Sequence, residues 1–192
     1  MKKLSFILMA FGLGLLIYSG WNIWSANQNQ KESLAEAKEL VNPESNKNNN
    51  QQEKMSAENF TANDGDVIGM LHLPAIDGEL PIVEGTSEDD LEQGVGHYSS
   101  TVLPGQGNQI LLSGHRDTVF QKVGELQLGD ELIVDLPYGS YTYEIAETEI
   151  VDADDTTVIR DYPEEVLTLS TCYPFGFIGN APERYIIYAY PK

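Results

Sequence analysis

Cys172 is the only cysteine of the chain, so it forms no intrachain disulfide and no four-cysteine zinc site. It is either an inert buried thiol or a nucleophile. It ends a predicted strand, Glu165–Cys172, in which Leu167 and Leu169 alternate with Thr168, Ser170 and Cys172. The thiol therefore stands on the more polar face, at a strand end. A thiol nucleophile needs a proton-transfer partner, and three histidines are available. His72 alternates with Leu71 and Leu73 and points outward from a strand; His97 lies in the turn-rich stretch Gly94-Val95-Gly96-His97-Tyr98. Both read as structural or solvated. His115 follows the apolar strand Gln109–Ser113 and Gly114, beside Arg116 and Asp117, at the kind of strand end where active-site side chains gather. Arg184 opens a strand after the loop-like Tyr173–Glu183, rich in Pro and Gly. If the flanking strands pair antiparallel, Arg184 meets Cys172 at one rim, where fixed N–H donors can stabilise a developing oxyanion.

These residues need a scaffold. Predicted strands run over Asp66–Leu73, Glu79–Glu84, Gln109–Ser113, Glu131–Leu136, Tyr141–Val151, Glu165–Cys172 and Arg184–Tyr190. Many short strands predict a mainly β barrel or sandwich. Pro137-Tyr138-Gly139-Ser140 is a turn signal, and Ser87-Glu88-Asp89-Asp90-Leu91 is a capped start to a short helix.

The domain occupies residues 61–192. Before it, Leu4–Gln30 carries no charged side chain, and Leu4–Trp24 is long enough to span a bilayer. Lys2 and Lys3 favour a cytoplasmic N-terminus, and Trp21 and Trp24 suit the far interface, leaving the rest of the chain extracellular. Residues 1–26 are thus expected to be a membrane anchor. Bulky Trp24, just upstream of Ala26, argues against signal-peptide cleavage there. Residues 27–60, rich in Asn, Gln, Lys, Glu and Ser, are expected to be a polar tether with a reach of roughly 30 Å. A short helix within it, Lys31–Val41, would be marginal alone.

Acidic residues outnumber basic ones 30 to 11, for a net charge of −19. Before Phe60 the two signs cancel, so the whole excess lies on the domain. That disfavours nucleic acid and favours cationic partners. Two acidic clusters, Glu88-Asp89-Asp90-Glu92 and Asp152-Asp154-Asp155, could offer oxygens to calcium, but the second has Thr156 and Thr157 where an EF-hand loop has a ligand and a glycine. Both read as solvated charge.

Thr168-Leu169-Ser170-Thr171-Cys172 resembles the TLxTC signature of the sortases, and Leu112-Ser113-Gly114-His115-Arg116 with Glu183-Arg184-Tyr185 supplies that family's ordered His, Cys and Arg. Cys172-Tyr173-Pro174-Phe175 and Ala181-Pro182-Glu183-Arg184 look most like class D members. The resemblance implies an eight-stranded barrel, outside a Gram-positive membrane, that joins surface proteins to peptidoglycan or pili. It implies Cys172 as nucleophile toward the carbonyl after Thr in an LPxT-type signal, His115 as proton carrier and Arg184 as oxyanion and substrate anchor. Thr171 would support the site through its hydroxyl. Implied partners are sorting-signal peptides and an amine acceptor such as a peptidoglycan precursor. No cofactor or metal is required, and modulation by a divalent cation is left open. Papain-like peptidases place cysteine before histidine, the reverse of the order here, and the Ser-x-Gly-Cys context of L,D-transpeptidases is absent. A non-enzymatic anchored β-domain is the remaining alternative.

Overall fold

The computed structural model describes residues 2–42, 55–177, 179 and 181–192; within its first helix the side chains of residues 2–6, 8, 10, 22–24 and 26 are outside that description. Eight strands close a barrel: β1 (Val67–Leu73), β2 (Gly78–Glu84), β3 (Val95–His97), β4 (Gln109–Gly114), β5 (Glu131–Leu136), β6 (Gly139–Asp152), β7 (Val166–Tyr173) and β8 (Glu183–Pro191). Around the barrel the order is β1-β2-β3-β4-β7-β8-β6-β5. Strands β2 and β3 pair parallel, as do β4 and β7; the other neighbours are antiparallel. Closure leaves no edge strand to be covered.

Alternation builds the interior. Leu71 and Leu73 of β1, Ile110 and Leu112 of β4, and Leu167 and Leu169 of β7 all point into one core. A register shift in β1 between Val67 and Gly69 lets that strand bend against β5. A Cβ at Gly69 would stand 2.3 Å from the Asp135 carbonyl oxygen, so only glycine fits there. Outside the barrel wall, Val166, Ile186 and Tyr188 form a second apolar cluster, covered by Val158 and Tyr162 from the β6–β7 connection. The predicted capped helix is α2 (Glu88–Gln93): Ser87 Oγ accepts from the Asp90 N–H, and the Asp90 carboxylate accepts from the Ser87 N–H.

The N-terminal segment departs from expectation. One helix, α1, runs from Lys2 through Leu40, so Asn27–Leu40 is helical where a flexible tether was expected. Its last turns dock on the barrel: Ala37 is fully buried and Ser33 nearly so, and Lys38 Nζ lies 2.6 Å from Glu79 Oε2 on β2. Ser56–Phe60 is also folded, with the Phe60 ring 5.3 Å from Tyr138. Of the expected tether, residues 43–54 lie outside the described residues. Among the described residues no helix is long and apolar enough to cross a membrane; the run Leu4–Trp24 contains many of the side chains outside the description. The docking is testable. Ala37→Glu forces a carboxylate into a fully buried position, at a cost of a few kcal/mol. It is expected to release Asn27–Leu40 from the barrel, raising amide hydrogen exchange along that segment and leaving β4 and β7 protected.

Candidate active site

Two parallel strands set the site's geometry. In the β4–β7 ladder Gly114 stands opposite Thr171, so His115 and Cys172, each one residue further on, leave the barrel wall side by side. In the β7–β8 ladder Cys172 stands opposite Arg184. Three side chains far apart in sequence thereby share one rim, on neighbouring strands whose backbones lie roughly 5 Å apart. The expectation that Cys172 and Arg184 meet there is met by register alone.

Each residue is held differently. Cys172 is a free, half-buried thiol. Below it on the outer face, Ser170 is half-buried and Thr168 fully buried. The amide of Gln109 donates to the Thr168 hydroxyl at 3.1 Å and to the Val158 carbonyl at 2.8 Å. The polar face of β7 is thus roofed at its base by the β6–β7 connection and becomes more exposed toward Ser170 and Cys172. Thr171 points inward and is buried, and its hydroxyl donates to the Gly114 carbonyl at 2.7 Å. That bond ties the ends of β4 and β7 together directly beneath His115 and Cys172.

His115 is half-buried at the start of a tight turn, its carbonyl accepting from the Phe120 N–H at 3.0 Å. Phe120 is fully buried and anchors the turn in the core. Arg184 is half-buried, its guanidinium donating to its own segment at the Glu183 carbonyl (3.0 Å) and the Ala181 carbonyl (3.4 Å). The site thus offers a thiol, an imidazole and a forked cation at one strand end, the groups that covalent acyl transfer uses.

Beneath the rim the barrel mouth is plugged by three rings. Tyr173, Phe175 and Tyr185 pack with centroids 5.4–6.1 Å apart. Phe175 in turn rests on the 3-10 turn Val123–Glu125: a Cβ at Gly124 would meet its ring carbons at 2.6 and 2.9 Å. Gly124→Ala therefore overpacks the plug. The expected cost is about 1–3 kcal/mol, seen as a lowered midpoint in thermal unfolding; an unchanged midpoint would mean the ring moves aside freely.

The other histidines are elsewhere. His72 Nε2 lies 2.9 Å from Asp135 Oδ2, across the β1–β5 pair on the outer wall. His97 is buried, with Nδ1 2.8 Å from Glu84 Oε2 and Nε2 3.0 Å from the Val102 carbonyl. Neither reaches the rim. Of the acidic clusters, Asp90 caps α2, and Asp155 accepts from the Thr157 N–H and hydroxyl, bonds that hold its carboxyl below the ordinary aspartate value. Among the described residues no three His, Cys, Asp or Glu side chains cluster so as to hold a metal. Sequence reasoning passed over Arg116. It is buried, next to His115, and its guanidinium donates to carbonyls of the loop after Cys172. Its adjacency to His115 was a signal, but nothing in the sequence shows where its fork points.

Comparison with known proteins adds four likenesses. A sortase-domain family model matches residues 71–192. Over 192 residues the chain is 47% identical to a sortase D of Bacillus subtilis (strain 168), covering 97% of this chain and 96% of that one. Among solved structures, a Clostridium perfringens sortase D5 transpeptidase superposes with a TM-score of 0.69 at 29% identity, over 86% of this chain and 99% of the other. A Clostridium perfringens sortase C with the C-terminal cell wall sorting motif superposes with a TM-score of 0.64 at 25% identity, over 86% and 88%.

Proposed function

Since the chain belongs to the sortase family of cysteine transpeptidases, we propose that it cuts an LPxT-type sorting signal after Thr and passes the acyl group to an amine of the cell wall or a pilin. The observation that carries this reading is the double register, Gly114 on Thr171 and Cys172 on Arg184, which brings His115, Cys172 and Arg184 to one rim. The Cys172 thiolate adds to the carbonyl carbon after Thr, forming a C–S bond. Arg184 faces the oxygen on which negative charge develops. The C–N bond then breaks, and the leaving amine takes a proton from the His115 imidazolium. In the second half an incoming amine attacks the thioester and gives a proton to His115. The C–S bond breaks, and the thiolate is regenerated.

Two features favour an amine acceptor and a membrane setting. The acidic excess of the domain attracts an acceptor amine in its protonated, cationic form, which gives up a proton to become the nucleophile. Lys2 and Lys3 precede the uncharged stretch of α1, where Ile7, Phe11, Leu16 and Trp21 are exposed, as an anchor with the catalytic domain outside the cell requires. Because Asn27–Leu40 is helical and docked, this anchor would leave the barrel close to the bilayer. The reading is tested with a sorting-signal peptide carrying a vinyl sulfone in place of the scissile amide. The full chain in detergent is expected to be labelled at Cys172, and labelling by a scrambled peptide at the same rate would refute substrate recognition.

A further inference from the structure

We propose that Arg116 is a positioning residue for acyl transfer: it fixes the β7–β8 loop that begins beside Cys172 and locks it to the chain segment carrying His115. The role rests on the transpeptidase reading above. Arg116 is only 6% exposed. Its Nη1 donates to the Pro174 carbonyl at 3.0 Å, and its Nη2 donates to the carbonyls of Phe177 and Gly179, the latter at 3.0 Å. Its guanidinium carbon lies 5.8 Å from the centroid of the Phe177 ring. Among the described residues Nε has no hydrogen bond, and it lies 3.5 Å from the largely exposed Asp117 carboxylate.

Three carbonyls from one irregular loop thus converge on one planar fork. The Pro174 carbonyl also accepts from the Phe177 N–H at 3.3 Å, but such a loop has no ladder to satisfy its inward carbonyls, and the arginine supplies donors to all three. A guanidinium can serve several at fixed angles, whereas an ammonium is a point donor. The placement gives the contact its consequence. Arg116 is bonded in sequence to His115, and Pro174 lies two residues beyond Cys172. The far end of the same loop is held by Arg184, through the carbonyls of Ala181 and Glu183. Two arginines, one from each side of the rim, therefore grip the segment between nucleophile and oxyanion anchor. A shift of that segment by an ångström displaces the carbonyl under attack relative to Cys172 and His115, which is worth on the order of a hundredfold in rate.

The test compares wild type with Arg116→Lys and Arg116→Gln in the full chain in detergent, using a sorting-signal peptide and a primary amine. For the lysine variant, kcat/KM is expected to fall about ten- to a hundredfold, mainly in kcat. Alkylation of Cys172 by iodoacetamide is expected to stay within about twofold at every pH, since a small electrophile does not depend on the loop. Amide exchange at Phe175, Phe177 and Gly179 is expected to quicken, and the glutamine variant is expected to be worse than lysine in both respects. An active wild type with an unchanged lysine variant overturns this role alone. So do unchanged exchange rates, or a parallel fall of alkylation, acylation and melting temperature, which is what a merely structural arginine would give. A wild type inert toward every peptide overturns the transpeptidase reading and this role with it.

Discussion

Cys172→Ala is expected to abolish acyl transfer from a sorting-signal peptide, with no thioacyl adduct detectable, while thermal stability stays within about 1 kcal/mol of wild type. The asymmetry follows from where the residue sits. It is half-buried on the outer face at the end of β7, so losing the sulfur opens no core cavity. The chemistry has no second thiol to fall back on. His115→Ala is expected to lower kcat/KM by roughly 10²–10⁴, the usual worth of a positioned proton carrier. Arg184→Ala is expected to cost about 10²–10³, the worth of an oxyanion donor. Steady-state ligation followed by mass spectrometry reads all three. A Cys172→Ala protein that still ligates would end the covalent mechanism.

The second large effect falls on stability. Both ring nitrogens of His97 face acceptors: Nδ1 the Glu84 carboxylate at 2.8 Å, Nε2 the Val102 carbonyl at 3.0 Å. The His97–Glu84 contact is buried where β2 and β3 run parallel, out of reach of water that could replace either partner. Removing one partner strands the other. His97→Ala is expected to cost about 3–5 kcal/mol, or roughly 10 °C in melting temperature for a chain of this size. The double variant with Glu84→Ala is expected to cost clearly less than the sum of the singles. Strict additivity in chemical denaturation would mean that the two side chains do not couple.

How far the sequence reached depends on which contacts are local. Strands β5 and β6 were legible because the turn at Pro137-Tyr138 joins alternating runs, and the paired register closes Leu136 on Gly139. The meeting of Cys172 with Arg184 was legible for the same reason: adjacent strands around one loop. Strand β3 was not, being three residues, Val95–His97, between glycine-rich turns. Its pairing with β2 is parallel and comes from tertiary packing rather than local pattern. The side-by-side placement of His115 and Cys172 needs β4 and β7 to lie parallel although β5 and β6 intervene in sequence. No periodicity encodes that, and the motif resemblance alone supplied it. The short helix expected at Lys31–Val41 is present as the end of α1, but the rest of Asn27–Leu40 was read as a flexible tether because its polar composition was weighed as an isolated segment. As the continuation of a formed helix it pays no nucleation cost, and the small faces of Ser33 and Ala37 let it seat on the barrel. Arg116 stayed hidden because its partners are backbone carbonyls, which every sequence has.

The most direct measurement is intact-protein mass spectrometry of the full chain incubated with a library of LPxT-type peptides, first without and then with a primary amine. The account predicts a thioacyl adduct on Cys172 that ends at Thr, discharged as ligated product when the amine is added, and reduced or absent in the His115→Ala, Cys172→Ala and Arg184→Ala variants. A folded wild type that forms neither adduct nor product with any peptide, or one whose product survives Cys172→Ala, would contradict it.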